Sequence, residues 1–128
     1  MSANPNFAST PKVGKQLINT ANTNRDGTGI ITSIFAAGAS GSRIDKVVIA
    51  ANGTTTAGML RFYISNGVTN TLLFEVPVTA IVPSAIVSPF ISNQVNVPFP
   101  IVIPSGYSLQ ASTNNAEAFI ITAFGGDF

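Results

Sequence analysis

Residues 22–27, NTNRDG, carry oxygen-bearing side chains at alternate positions, which is how the calcium-binding loop of an EF-hand begins. The first three ligand positions are filled by Asn22, Asn24 and Asp26. The twelfth position, however, is Ser33 where the loop needs a bidentate Glu, and Arg25 adds a positive charge. One carboxylate does not compensate for dehydrating a divalent cation beside a guanidinium. The stretch therefore predicts an Asx-rich turn, with Gly27 and Gly29 in unusual backbone angles, and no metal site.

Other catalytic chemistry lacks the necessary side chains. The chain has no His and no Cys, which excludes ordinary zinc, iron or copper sites, disulfides and thiolate nucleophiles. Hydroxyl nucleophiles need a base, and only lysines could serve as one. Glu75 and Glu117 could meet across strands as a glycosidase-like pair, whereas Asp45 beside Arg43 favours an ion pair at a strand end. We expect a protein that is not an enzyme and binds no cofactor.

The charge pattern excludes two further classes of partner. Only 9% of the residues are charged, and the net charge of +1 is spread along the chain without a basic cluster. Nucleic-acid binding needs several phosphates neutralised together, so no nucleic-acid partner is expected. No apolar run approaches 18 residues, and the opening MSANPNFASTPK lacks a basic head followed by an apolar run. We expect neither a membrane span nor a Sec-type signal peptide.

Short runs rich in Ile, Val, Phe and Thr, separated by Gly, Asn, Ser or Pro, predict an all-β protein. The predicted strands are 13–20, 29–36, 44–51, 59–65, 71–79, 91–97, 101–103, 107–112 and 118–124. No segment supplies crossover helices, so the sheets should be antiparallel and stacked as a β-sandwich. A jelly-roll-like topology with eight or so strands is the first choice, and an immunoglobulin-like sandwich is the second. Residues 13–128 would form this single domain.

Asn-Gly pairs and prolines predict the structure of three connections. The SNG at 65–67 and the ANG at 51–53 predict tight hairpins, because Asn-Gly adopts positive φ readily. The segment 81–100 contains four prolines among apolar residues. Proline cannot donate to a strand ladder, so this segment should lie at a sheet edge or cross between the sheets, where it could also act as a contact arm.

Some strand positions that should face water are apolar. They are Val48, Ala50, Met59, Tyr63 and Leu73. A strand that is apolar on both faces needs a cover on both, which a single sandwich of this size rarely provides. These residues are the candidates for an oligomer interface. The alternative is that a β-bulge shifts the alternation by one residue.

Residues 1–12 predict an extended arm that lies outside the domain, with a disordered tail as the alternative. The arm would contact another protein through Asn4, Pro5, Phe7 and Lys12. Carbohydrate binding is a further alternative, since β-sandwiches often bind sugars on aromatic platforms. The chain has no Trp and two Tyr, of which Tyr63 alternates with core positions, so this hypothesis depends on polar loops alone.

Four phrases carry a resemblance: GSRIDKVVI, TTTAGMLRFYIS, LLFEVPVTA and PSGYSLQASTNNAEAFIITAFGGDF. Together they resemble a family of small, His-poor, all-β structural proteins encoded among the virion genes of tailed bacteriophages. The resemblance covers about residues 19–128 and carries no catalytic motif. Members of that family hold more charge in the strand matching IDKVVIAANG, where this chain has Val48 and Ala50.

The resemblance implies a capsid decoration protein, also called an auxiliary or cement protein. Such a protein would form a homotrimer, bind the lattice of the major capsid protein, and lie on the capsid surface of the virion after synthesis in the host cytoplasm. The features predicted from the residues agree with this role, because a rigid sandwich, surplus apolar faces and an arm suit a subunit that is held by many weak contacts. A tail or head-fibre component is the first alternative, and a lectin-like sandwich is the second.

Overall fold

The computed structural model describes residues 8–94 and 99–128, and this part of the chain forms nine β-strands. They are β1 (Thr10–Ile18), β2 (Thr32–Ala36), β3 (Ser42–Ala51), β4 (Gly58–Ser65), β5 (Asn70–Val78), β6 (Ile91–Gln94), β7 (Ile101–Ile103), β8 (Ser108–Thr113) and β9 (Phe119–Asp127). Within the described ranges, no helix is long and apolar enough to cross a membrane.

The described strands form two antiparallel sheets that pack face to face. Sheet one has the order β1-β9-β3-β6, with β7 pairing the other half of β3, and sheet two has the order β2-β8-β4-β5. The chain changes sheet at every connection except the β4–β5 hairpin and the β6–β7 connection. This two-sheet alternation is the jelly-roll arrangement of antiparallel strands. The predicted all-β antiparallel sandwich is confirmed, with the jelly-roll order in place of the immunoglobulin-like one.

One apolar layer between the sheets forms the core. Sheet one contributes Val47, Ile49 and Ile121, and sheet two contributes Leu60 and Leu109, all without accessible surface. Their period-2 spacing along each strand places them on the inward faces, as the sequence pattern predicts. At one side of this layer, Phe62 and Phe74 stack with ring centroids 4.6 Å apart, and Phe99 meets Phe74 edge to face at 5.7 Å. Aromatic contacts of this kind add to the apolar burial.

Register shifts interrupt the alternation at three places among the described strands, one of them between Ser33 and Phe35 on β2, and another corrects a sequence-based expectation. Between β4 and β5 the register passes from Phe62–Phe74 to Tyr63–Leu72, so Leu73 is an extra residue on β5. Leu73 is partly buried and packs against the core. Its expected place on a free outer surface was therefore wrong, because the bulge breaks the two-residue period. The third shift lies between Ile44 and Lys46 on β3.

The predicted turns have different outcomes. The SNG turn joins β4 to β5 as a hairpin with Gly67 at φ 91°, which confirms the prediction. The ANG segment is not a hairpin, because β3 and β4 lie in different sheets and the chain must cross between them there. The described part of segment 81–100 connects β5 to β6, which are edge strands of opposite sheets, as its prolines predict.

The NTNRDG stretch is an Asx-rich turn within the connection 19–31. Asn22 Oδ1 accepts the N–H of Asn24 at 3.0 Å, and Asp26 Oδ1 accepts the N–H of Thr28 at 3.1 Å. The Asn22 amide also donates to the carbonyls of Thr28 and Ile30, at 2.9 and 3.0 Å. Gly27 and Gly29 have φ 86° and 88°. The polar side chains that imitate a metal loop are hydrogen-bonded to their own turn, and the predicted turn is confirmed.

We expect Gly27→Ala to destabilise the protein, because a Cβ there would lie 2.1 Å from the Asn70 carbonyl oxygen and φ is 86°. Left-handed backbone in a non-glycine residue costs about 1–3 kcal/mol, and the clash adds to that. Gly53→Ala is the matched control, since a Cβ there meets nothing within 4 Å. Chemical denaturation of both variants measures the difference, and equal free energies of unfolding would contradict the assignment of Gly27.

Candidate assembly surface

The outer face of sheet two is covered by the chain itself. Arg61 and Tyr63 point outward from β4, yet they are only 3% and 0% exposed. The Tyr63 hydroxyl donates to the carbonyl of Asn24 at 2.8 Å, and Arg61 Nη1 donates to the carbonyl of Asn22 at 3.0 Å. Arg61 Nη2 donates to Asn114 Oδ1 at 3.1 Å. The connection 19–31 therefore lies across this sheet and accepts hydrogen bonds from the Tyr63 hydroxyl and from Arg61 Nη1.

A cluster of charged side chains also binds the connection 19–31 to β5. Arg25 Nε and Nη2 donate to the two carboxylate oxygens of Glu75, at 2.5 and 3.2 Å. Arg61 Nε lies 3.9 Å from Glu75 Oε2 and, among the described atoms, has no hydrogen bond. The hydrogen bond from Arg25 lowers the pKa of Glu75 below its ordinary value. Glu75 thus neutralises the buried guanidinium of Arg61 while it binds the covering connection.

We expect Glu75→Gln to lower stability by about 1–3 kcal/mol at neutral pH, because the buried Arg61 loses its counter-charge. The folded-state pKa of Glu75 is lowered, so the ionised form stabilises the fold above the unfolded pKa of about 4.3 and this contribution is lost as pH falls through the folded value. The difference between wild type and variant should therefore shrink in acid.

Urea denaturation of both proteins between neutral and strongly acidic pH tests this expectation. Asp45→Asn is a suitable control, because the Arg43–Asp45 pair, at 2.7 Å, is about half exposed on both sides. Exposed pairs of this kind contribute about 0–1 kcal/mol. A loss for Glu75→Gln no larger than for Asp45→Asn, or one independent of pH, would contradict the proposed electrostatic role.

The outer face of sheet one has no such cover from the described chain. We use the name outer face for the residues that point away from the core on β1, β9, β3 and β6. The register places them in three rows: Leu17–Ile120–Ala50–Ile91, Lys15–Thr122–Val48 and Val13–Phe124–Lys46. Leu17 and Ile91 are 51% and 54% exposed, and Val13 is exposed as well. The first row thus has an exposed large apolar side chain at each end, with half-buried Ile120 and Ala50 between them.

The charged side chains in these three rows are Lys15 and Lys46, and the exposed Arg43 and Asp45 at the start of β3 pair with each other. Lys15 and Lys46 are exposed, and Lys46 Nζ lies 5.1 Å above the centroid of the Phe124 ring. This cation–π contact lays the aliphatic stem of Lys46 along the aromatic ring. The face therefore combines an apolar centre with a cationic border. Contiguous apolar surface of this kind is typical of a contact surface between proteins.

The predicted interface residues divide between the two sheets. Val48 and Ala50 lie half-buried on the outer face, next to Thr122 and Ile120 of β9. Met59 is half-buried on β4, where its carbonyl accepts the N–H of Asn114. Tyr63 is covered by the connection 19–31, and we do not retain it as an interface residue. Leu73, displaced by the bulge, is not retained either.

Of the four residues predicted for the contact arm, the structure describes Lys12. Asn4, Pro5 and Phe7 lie outside the described residues. Lys12 belongs to β1, which begins at Thr10, so the predicted arm 1–12 overlaps this strand by its last residues. Lys12 Nζ donates to the carbonyl of Ala36 and to Asp127 Oδ1, the latter at 3.2 Å, and lies 4.9 Å from the Phe35 ring centroid. Its ammonium group is engaged within the protomer.

The side chains considered for catalysis are held by other interactions. Glu117 Oε2 accepts hydrogen bonds from the backbone and hydroxyl of Thr56, at 2.9 and 2.7 Å, while Glu75 is bound by Arg25. The predicted Arg43–Asp45 ion pair is confirmed. Of the two tyrosines considered for a sugar platform, Tyr63 is buried and Tyr107 is 37% exposed.

Sequence reasoning missed the role of Arg61. A charged residue between Leu60 and Phe62 in an apolar strand was a usable signal, because a charge within a strand of this kind needs a buried partner. It did not identify the partners. Asn22 lies 39 residues away along the chain, and Asn114 lies 53 away.

Comparison with family models and with curated protein sequences finds no match. Similar solved structures include the acidic stable capsid structure of Helicobacter pylori bacteriophage KHP30, with 12% identity and TM-score 0.56 over 92% of this chain and 88% of that chain. A pentameric capsid protein from metagenomic phage sequences has 18% identity and TM-score 0.40, and it is matched over 59% of its length. A second structure, described in the same words and solved by iodide phasing, has 16% identity and TM-score 0.43 over 61% of its length.

At these identities the likeness is one of fold. The chain spans about 60% of the length of the two metagenomic capsid chains and 88% of the KHP30 chain. Among these three structures, the TM-score of 0.56 with the chain from the KHP30 capsid is the one that shows a shared fold.

Proposed function

We propose that this protein is a non-catalytic structural component of a phage virion. The observation that carries the proposal is an uncovered apolar sheet face on a jelly roll that superimposes along nearly its whole length on a chain of a phage capsid. A capsid subunit buries surface against its neighbours, and this chain has one sandwich face covered by its own connection and one left open. The two polar clusters around Glu75 and Glu117 are hydrogen-bonded within the protomer.

Within the virion, we assign the protein to the capsid surface as a decoration protein bound to the lattice of the major capsid protein. It would be made in the host cytoplasm and would self-associate as a homotrimer, with Val48 and Ala50 in the contact between copies. The resemblance of the four phrases to virion proteins of tailed phages supports this finer assignment. The low content of charge suits it too, because uncharged contacts are little weakened by changes in salt.

The location in the virion is tested by imaging phage particles with a labelled antibody and counting copies by quantitative mass spectrometry. Hundreds of copies spread over the head support decoration. A few copies at the neck or tail would replace decoration by the fibre role, and absence from purified particles would overturn the virion role.

We expect Val48→Asp to weaken self-association, because it places a carboxylate in a surface that becomes buried between copies. Val48 is half-buried on the outer face, with Lys46 two residues before it on β3, so circular dichroism melting must first verify that the variant keeps its fold. Light scattering after size-exclusion chromatography should show a dissociation constant raised at least about tenfold.

Val68→Asp is the matched control for this measurement, since Val68 is 90% exposed on the β4–β5 turn, away from the outer face. It should leave the mass distribution unchanged. A wild type that stays monomeric throughout the micromolar range would overturn the trimer, and equal effects of the two variants would remove the outer face from the contact.

A further inference from the structure

An open apolar cavity lies where β3 begins and β7 ends. Its volume is about 460 Å³, and the described residues that line it are Ser40, Gly41, Val102, Ile103, Pro104 and Phe128. None of these side chains is charged. The N–H of Phe128 donates to the carbonyl of Gly41 at 3.1 Å, which holds the backbone of Phe128 at the cavity. We call it the end cavity, and its lining favours an apolar side chain as occupant.

The described part of the chain begins close to the end cavity. A Cβ atom at Gly126 would lie 2.7 Å from the Cβ atom of Ala8, so Ala8 packs directly against Gly126. The N–H of Ser9 donates to the carbonyl of Asp127 at 2.8 Å. These two contacts fix the point from which the preceding residues leave the sandwich.

The register of the strands places that point beside the cavity lining. Gly126 and Val102 pair with the same residue, Arg43, from opposite sides. Neighbouring strands lie about 4.8 Å apart, so Gly126 and Val102 are separated by about 10 Å. Phe128 follows Gly126 by two positions, a distance of about 7 Å along an extended strand. Ala8, which packs on Gly126, is therefore a short distance from two lining side chains.

Residues 1–7, MSANPNF, precede this point and lie outside the described part of the chain. We call them the N-terminal segment. It has no charged side chain, and its aromatic residue, Phe7, is bonded directly to Ala8. The Cα atoms of Phe7 and Ala8 are about 3.8 Å apart. The surface that Phe7 can reach is therefore the one around Gly126, which includes the end cavity.

The covalent link to Ala8 favours an occupant from the same protomer. A side chain that is tethered beside a cavity meets it at an effective concentration in about the millimolar range. The N-terminal segment of a second copy reaches such a concentration only in a concentrated solution. In dilute protein, Phe7 of the same chain therefore has the advantage.

We propose that the Phe7 ring occupies the end cavity of its own protomer and docks the N-terminal segment beside β7. The docked ring covers Val102, which is 63% exposed among the described residues. Docking also gives the rest of the segment, with Asn4 and Pro5, one starting direction, so less conformational entropy is lost when these residues bind a partner. The proposal concerns the single protomer, uses none of the outer-face residues and is tested separately from the virion role.

A single tryptophan tests the docking, because the natural chain has no Trp. Full-length Phe7→Trp should emit at a shorter wavelength than full-length Val68→Trp. Acrylamide should quench it at least about twofold less, since a docked indole is shielded from solvent. Val68 is the exposed reference, because it is 90% exposed. The difference should be independent of protein concentration.

A charge in the lining identifies the site that shields the indole. In the Phe7→Trp protein, Val102→Asp should move the emission to longer wavelength and raise quenching to the level of Val68→Trp, because a carboxylate disfavours an apolar occupant. Val68→Asp in the same protein is the control and should leave both quantities unchanged. Circular dichroism melting verifies that each variant keeps its fold.

A cross-link provides a second measurement that needs no charged variant, because the natural chain has no Cys. Under a mild oxidant, the full-length double variant Phe7→Cys/Val102→Cys should form a disulfide within the monomer, identified by peptide mass spectrometry. The double variant Phe7→Cys/Val68→Cys is the control, since Val68 lies outside the cavity lining. It should give no such bond.

Three results would overturn the proposal. An emission of Phe7→Trp equal to that of Val68→Trp would exclude docking. A shielded indole that does not respond to Val102→Asp, with no disulfide between positions 7 and 102, would exclude the end cavity. Shielding that develops only as the protein concentration rises would assign the cavity to the segment of a second copy. None of these results changes what imaging of virions shows.

Discussion

Arg61 and Tyr63 on β4 are polar side chains that are buried on the outside of sheet two, and their need for hydrogen bonds constrains how the chain covers that sheet. Arg61 and Tyr63 alternate with core residues on β4, so they point away from the core on the outside of sheet two. Each needs hydrogen-bond partners once it is buried, and the carbonyls of Asn22 and Asn24 provide them. The connection 19–31 is thereby held across the sheet, and Glu75 completes it by binding Arg25 and neutralising Arg61.

This closure makes the two sides of the sandwich different. Sheet two is covered by polar backbone that its own side chains bind, whereas sheet one leaves Leu17, Ile91 and their neighbours in water. Burial of apolar surface is worth about 25 cal/mol per Å², so exposed large apolar residues favour a partner.

Local pattern predicted most of the strands, because alternation and turn residues act within a few positions. The strand 101–103 has its predicted bounds, β4 differs from its prediction by one residue at its start, and β5 is shifted by one residue at both ends. The failures are equally physical. Leu73 was assigned to the wrong face because a bulge adds one residue on β5, and ANG does not form a hairpin because the chain leaves sheet one there. Neither event has a signal in the residues next to it.

The class of structure and the lack of a familiar reactive motif follow directly from the amino-acid sequence. Period-2 alternation without helical segments requires antiparallel sheets, and the chain has no His and no Cys. Tertiary structure alone decided which sheet face is covered and which is free. That outcome depends on Arg61 meeting Asn22 and Asn114, which lie 39 and 53 positions away in the chain. Contacts at such separations follow from the path of the strands between the sheets, which local spacing does not encode.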